Sequence, residues 1–141
     1  MVDRNVPITW SNAFDTGIEL IDGEHKMIFS ALKDVHLAVE NDLGERLISR
    51  VILVLCNFVK SHFKNEERFM LEIGYSDLEN HQNDHQRYIE KLDGVRDMFS
   101  KGQSVLQPLS EIFSEYLNAH VLIEDAKIGD FAKANPSHKY W

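Results

Sequence analysis

The feature that most constrains this chain is a set of apolar stripes at helical spacing, with histidines standing where apolar residues belong. From Leu78 the pattern continues through His81, His85, Tyr88, Leu92, Val95 and Phe99 in alternating steps of three and four. From Leu47 it continues through Val51, Leu55, Phe58, His62, Glu66, Phe69 and Ile73. Such steps keep residues on one face of an α-helix, so each stripe reads as the inward face of an amphipathic helix. A polar group in such a stripe must be paired or must coordinate a metal.

Turn residues divide the chain. Three prolines occur, Pro7, Pro108 and Pro136, which leaves a long proline-free stretch. Glycines punctuate it at Gly44, Gly74 and Gly102. The spacing predicts helices over 19–40, 45–73 and 78–101, then a fourth with Pro108 in its first turn, closed by Asn135-Pro136. Ser76 and Glu79 form a capping-box pattern at the start of the third helix. Long helices joined by short turns pack as antiparallel neighbours. The expected fold is therefore all-α: an up-down-up-down antiparallel four-helix bundle over 19–134, with an irregular N-terminal arm over 1–18 and a tail over 135–141. The 141 residues form a single domain in this reading.

A level test follows from that topology, because residues equally far from a hairpin turn lie at one height. His25 and His62 flank the Leu43-Gly44 turn symmetrically. Glu66 and His81 flank Gly74, and the pairs His81/His85 and His120/Asp125 flank Gly102. All four helices bring polar residues to one layer. Five histidines and two carboxylates exceed the four ligands of a zinc site. They suit two six-coordinate ions with bridging carboxylates and a shared oxo or hydroxo bridge, one position staying open for a small ligand. Imidazole with carboxylate suits iron, among other first-row metals. The fourth-helix carboxylate is open on spacing alone. Five residues turn a regular α-helix about 140°, so Glu124 fits His120 better than Asp125 unless a π-type turn intervenes.

Composition excludes other classes. The formal net charge of −8 argues against nucleic acid and against an anionic membrane surface. The single cysteine, Cys56, rules out an intrachain disulfide and an all-cysteine zinc site. No apolar run has the length of a signal peptide or a membrane span, so the expectation is a soluble, cytoplasmic monomer.

The motifs IDGEHKMIF (His25), HFKNEE (His62 and Glu66), HQNDH (His81 and His85) and HVLIED (His120 and Asp125) resemble the hemerythrin family, in particular its single-domain bacterial type. The likeness covers nearly the whole chain, including Trp10 and the Gly17-Ile18 and Ile21-Asp22 pairs of the arm. It implies a non-heme site of two iron ions joined by an oxo or hydroxo bridge. His81, His85 and His120 would bind one iron and His25 and His62 the other, which keeps the open position. Glu66 and Asp125 would bridge, so the resemblance decides for Asp125 over Glu124. It implies O2 as the ligand, no substrate transformed, and an oxygen-consuming enzyme as a recipient of the O2.

The donor set agrees with reversible binding. Neutral imidazoles outnumber carboxylates, which favours the ferrous state and makes high-valent iron harder to reach. The expected function is an O2 carrier, store or delivery protein. The alternatives are an O2 or redox sensor and a peroxide- or NO-reducing enzyme. Ile21, Phe29, Phe58, Phe69 and Ile89 lie near the ligands, but Phe63 and Leu117 are the stronger candidates for an apolar ligand pocket. Tyr116, where the family often has Trp, and Ile128, where it often has Tyr, set the pocket apart. His36, His138, Glu24 and Glu67 read as structural or surface residues, Cys56 as a packed residue, and Trp10 and Phe14 as a cover over one end of the bundle.

Overall fold

The computed structural model describes residues 10–135. After a short 3-10 turn, Asn12–Phe14, come α1 (Glu19–Glu40), α2 (Glu45–Ile73) and α3 (Leu78–Ser100). The fourth rod is composite: α4 (Leu106–Glu115), a π-helical segment (Tyr116–Asp125) and α5 (Ala126–Ala134) continue without a break. Among the described residues there is no strand. Each rod packs on its neighbour in sequence, which gives the four-helix bundle that the periodicity predicts. Pro108 sits in the first turn of α4, where its missing N–H costs no hydrogen bond.

Three of the helix ends close in the same way. The backbone N–H of Leu43 donates to the Ala38 carbonyl, that of Tyr75 to Met70, and that of Gln103 to Met98. This six-to-one closure needs a left-handed residue just past the helix. Gly74 (φ 72°) and Gly102 (φ 75°) fill that role. At the first turn the residue is Asp42 (φ 47°), while Gly44 (φ 94°) caps the start of α2. The capping box expected at α3 does not form. Asp77 is the residue before the helix, and its carboxylate accepts from the Asn80 side-chain amide at 2.7 Å instead of bonding the backbone.

The α2 stripe also needs correction in its first half. Leu47 is exposed and Val51 and Phe58 are half-buried, while Ile48, Ile52, Leu55 and Val59 face inward. The steps of this stripe average about 3.7 residues, so against a helix of 3.6 residues per turn it drifts by about 80° over its seven turns and cannot hold one face. Near the site the two patterns coincide, and His62, Glu66, Phe69 and Ile73 are buried as expected.

The core has two apolar layers with a polar layer between them. The larger layer includes Ile28, Leu32, Leu55, Val59, Phe63, Tyr88, Leu92, Phe113 and Val121. The smaller holds Ile18, Ile21, Phe69, Met70, Ile73, Ile128 and Ala132. On α1, α2 and the fourth rod, the polar layer falls where one set gives way to the other. His25 lies between Ile21 and Ile28, Glu66 between Phe63 and Phe69, and Asp125 between Val121 and Ile128. The arm spans both layers: Phe14 and Trp10 pack with the larger, and Ile18 belongs to the smaller. Asp22 fixes it by accepting from the Thr16 N–H and hydroxyl, both at 2.8 Å, and from the Gly17 N–H at 3.1 Å. No helix among the described residues is long and apolar enough to cross a membrane.

Candidate metal centre

The level test predicts that His25, His62, Glu66, His81, His85, His120 and Asp125 meet, and the structure brings all seven together. Each is at most 3% exposed. Their donor atoms fall into two overlapping groups. Glu66, His81, His85, His120 and Asp125 form one, and His25, His62, Glu66 and Asp125 the other, each with donors within 4.8 Å of one another.

The two carboxylates belong to both groups and divide their oxygens between them. Glu66 Oε1 lies 2.6 Å from His81 Nε2 and 3.0 Å from His85 Nε2, while Oε2 lies 3.1 Å from His62 Nε2. Asp125 Oδ1 lies 3.0 Å from His81 Nε2 and 3.1 Å from His120 Nε2, while Oδ2 lies 3.1 Å from His25 Nε2. A carboxylate placed in this way can bridge two cations. Several of these inward atoms have no aligned hydrogen bond: His25 Nε2, His62 Nε2, Glu66 Oε2 and both Asp125 oxygens. Buried polar atoms left so are costly. Nitrogen and oxygen donors that crowd together without hydrogen-bond alignment fit a site built for metal ions, and imidazole with carboxylate suits iron among other first-row metals.

The π segment explains Asp125. Hydrogen bonding from i to i+5 winds more slowly than an α-helix, so the residue five after His120 returns to its face. Asp125 is fully buried, whereas the Glu124 side chain is 34% exposed and pairs with Lys127 at 3.3 Å.

The outer nitrogens show what the helical stripes conceal. Glu24 and Glu67, expected at the surface, each face a site histidine. Glu24 Oε1 lies 3.0 Å from His62 Nδ1, Glu67 Oε2 2.7 Å from His85 Nδ1, and Asp84 Oδ2 2.6 Å from His120 Nδ1. Each acid is next in sequence to a site residue on its own helix, but reaches the histidine of the following rod. An Nδ1–H donated outward leaves the Nε2 lone pair free to face inward. The sequence signal was there in Glu24-His25, Glu66-Glu67 and Asp84-His85. It could be read only with the order of the helices around the bundle.

Electrostatics without metal follow from this geometry. Burial pushes the His62 imidazole down, but Glu66, Glu24 and Asp125 outweigh it and carry it up to about 9. Burial likewise opposes His81, and the Asp125 and Glu66 carboxylates beside its Nε2 carry it to about 9. Burial would raise the Glu66 and Asp125 carboxyls. For Glu66 the effect of His62, with His120 and His81, prevails; for Asp125 that of His120 and His25 prevails over burial and the repulsion of Glu66; both are held well below the usual range. The hydrogen bond with His120 holds Asp84 at about 2.

The remaining candidates are accounted for as follows. Phe63 stacks on His85, ring centroids 3.8 Å apart and planes 3° from parallel, and Leu117 is fully buried in the larger layer. Trp10 packs on Phe29 and lies 6.4 Å from the His25 ring, with Phe14 beside it. Cys56 is buried. His36 is buried but stands outside both donor groups. His138 lies outside the described residues.

Comparison with known proteins agrees with this architecture. The hemerythrin HHE cation binding domain model matches residues 16–132. A bacteriohemerythrin of Pseudomonas aeruginosa is 29% identical over 92% of this chain and 84% of its own length. One from Clostridium acetobutylicum is 24% identical over 86% of this chain and 98% of its own. A crystal structure of wild-type hemerythrin superposes with a TM-score of 0.79 at 25% identity, covering 89% of this chain and 97% of the other. With seven convergent donors on a bundle of this shape, and a family match that spans the whole polar layer, the chain belongs to the hemerythrin family and is of the bacterial type.

Proposed function

We propose that this chain binds O2 reversibly at a non-heme di-iron centre and serves to carry, store or deliver it. His81, His85 and His120 hold one iron, His25 and His62 the other. Glu66 and Asp125 bridge them together with an oxo or hydroxo group. The observation that carries this reading is the division of the two carboxylates, each with one oxygen toward the three-histidine group and one toward the two-histidine group. That asymmetry leaves the second ion a ligand short, which is where a small molecule binds. Iron supplies the electron density that O2 takes up. The protein supplies five neutral donors, outward acceptors that orient three of the rings, and an apolar wall in which Phe63 and Leu117 take part and from which water is excluded.

The test is iron quantitation with visible spectroscopy. The protein is reduced without air, exposed to O2, then returned to vacuum. The expected result is two irons per chain and a charge-transfer band that appears with O2 and bleaches on its removal. Two irons with immediate irreversible oxidation would overturn the carrier reading in favour of a redox sensor or a peroxide- or NO-reducing enzyme. Fewer than about one iron per chain after reconstitution would overturn the ligand assignment itself.

A further inference from the structure

Two tyrosines, Tyr88 and Tyr116, are buried in the larger apolar layer beside the polar cluster, and neither hydroxyl has a hydrogen-bond partner. Their rings meet at 5.3 Å in a T-shaped contact. A buried hydroxyl without a partner is a net cost to the fold that a phenylalanine of the same shape avoids. Its presence needs a reason beyond packing.

The two tyrosines stand differently toward the cluster. Tyr88 touches only the His120 side, at 5.6 Å, and its other face lies under the Arg87 guanidinium near the surface. Tyr116 touches both donor groups. Its ring lies nearly parallel to His120 at 5.4 Å and perpendicular to His25 at 6.3 Å. Around it stand Phe63, Phe113 and Tyr88, none of which provides an acceptor to its hydroxyl. A tyrosine hydroxyl, whose ordinary value is about 10, keeps its proton near neutral pH. Transfer of an electron through either tyrosine would need an acceptor for the phenolic proton, and the structure provides none. What remains is a hydrogen-bond donor on a ring that stands beside His120 of one donor group and His25 of the other.

We infer that the Tyr116 hydroxyl donates a hydrogen bond to the small anionic ligand that occupies the open position on the His25/His62 side, and so sets affinity and residence time there. This rests on the di-iron reading above. The ligand class is a small anion or a diatomic that gains negative charge on binding. The phenol keeps its proton throughout, and the bond exists only in the liganded state.

The test compares wild type, Tyr116→Phe and Tyr88→Phe. Azide binding to the iron-loaded, oxidised protein is measured, with the azide stretching band recorded in H2O and D2O. Tyr116→Phe is expected to weaken azide by about two- to tenfold, the range of one hydrogen bond, and to abolish the D2O shift. Tyr88→Phe is expected to leave both unchanged. A second readout uses no metal: the denaturation midpoint of iron-free Tyr116→Phe should equal or exceed that of wild type, because the lost hydroxyl had no partner. Unchanged azide affinity and D2O shift in a Tyr116→Phe protein that carries two irons would overturn this inference and leave the di-iron reading intact. A lowered iron-free midpoint would also overturn it, since the hydroxyl would then serve the fold. A wild type that loads no iron would overturn the di-iron reading and this inference together.

Discussion

Glu24, Glu67 and Asp84 show how one residue can serve two helices. Adjacent residues on an α-helix point about 100° apart. An acid beside a buried residue of the cluster therefore leaves the core face and leans toward the neighbouring rod. Here it meets the outer nitrogen of that rod's histidine: α1 serves α2, α2 serves α3, and α3 serves the π segment. The series stops at His25, whose Nδ1 is buried without a partner.

His36 carries a prediction at the same scale. It is buried three turns from His25, and its Nε2 has no partner. Burial lowers its pKa, with Glu40 opposing. A histidine depressed in the fold is neutral there while the unfolded chain, with a value of about 6.5, takes up a proton. Its contribution is whole above that value and is lost as pH falls below it. His36→Leu should therefore flatten the acid side of the stability curve. The loss of Tm between pH 7.5 and 5.5 should be smaller than in wild type, by no more than one proton's worth, about 1.4 kcal/mol per pH unit. Equal losses in the two proteins would show that His36 is not the titrating group.

At the scale of elements, the π segment and the arm decide the shape of the site. The π segment occupies ten residues, Tyr116–Asp125, and brings three site features to one side: Tyr116, His120 and Asp125. The arm meets α5 at Gly129, where a methyl group would run into the Thr16 carbonyl oxygen and the backbone behind it. Backbone cannot move aside as a flexible side chain can. Gly129→Ala should cost about 1–3 kcal/mol or more and loosen the arm, although alanine is the better helix former. Thermal denaturation checks the cost, and faster amide exchange at Thr16 and Gly17 checks where it falls. A Tm at or above that of wild type would contradict the packing described.

At the scale of the molecule, a polar layer is held between two apolar ones. Iron-free, it carries protons on His62 and His81, both raised to about 9. Iron must displace them, so uptake near neutral pH should release protons and weaken as pH falls. On the di-iron reading the ions bind only the assembled layer, so their removal should destabilise the whole bundle. At iron a thousandfold above its Kd the linkage is about 4 kcal/mol, roughly 10 °C or more in Tm. Scanning calorimetry of chelator-treated and reloaded protein, with proton release followed by a pH indicator, measures both. Identical Tm values would separate the cluster from folding.

Much of this was determined by sequence alone, because the interactions are local and periodic. Helix bounds follow from turn residues and stripes, and the shared height of the seven donors follows from hairpin symmetry. Both need only the rise and turn of an α-helix. Motif resemblance added the choice of Asp125, but the reason for that choice is a π-helical winding that spacing cannot disclose. Tertiary structure alone decided whatever depends on rotation about the helix axis and on contacts between rods. It moved the inner face of α2 from Leu47 to Ile48, and gave the left-handed turn position to Asp42 beside Gly44. It turned Glu24 and Glu67 from surface charges into partners of the buried histidines His62 and His85, and left the Tyr116 hydroxyl without a partner. A helix's own pattern records which face is apolar. Only the packed bundle determines what stands opposite.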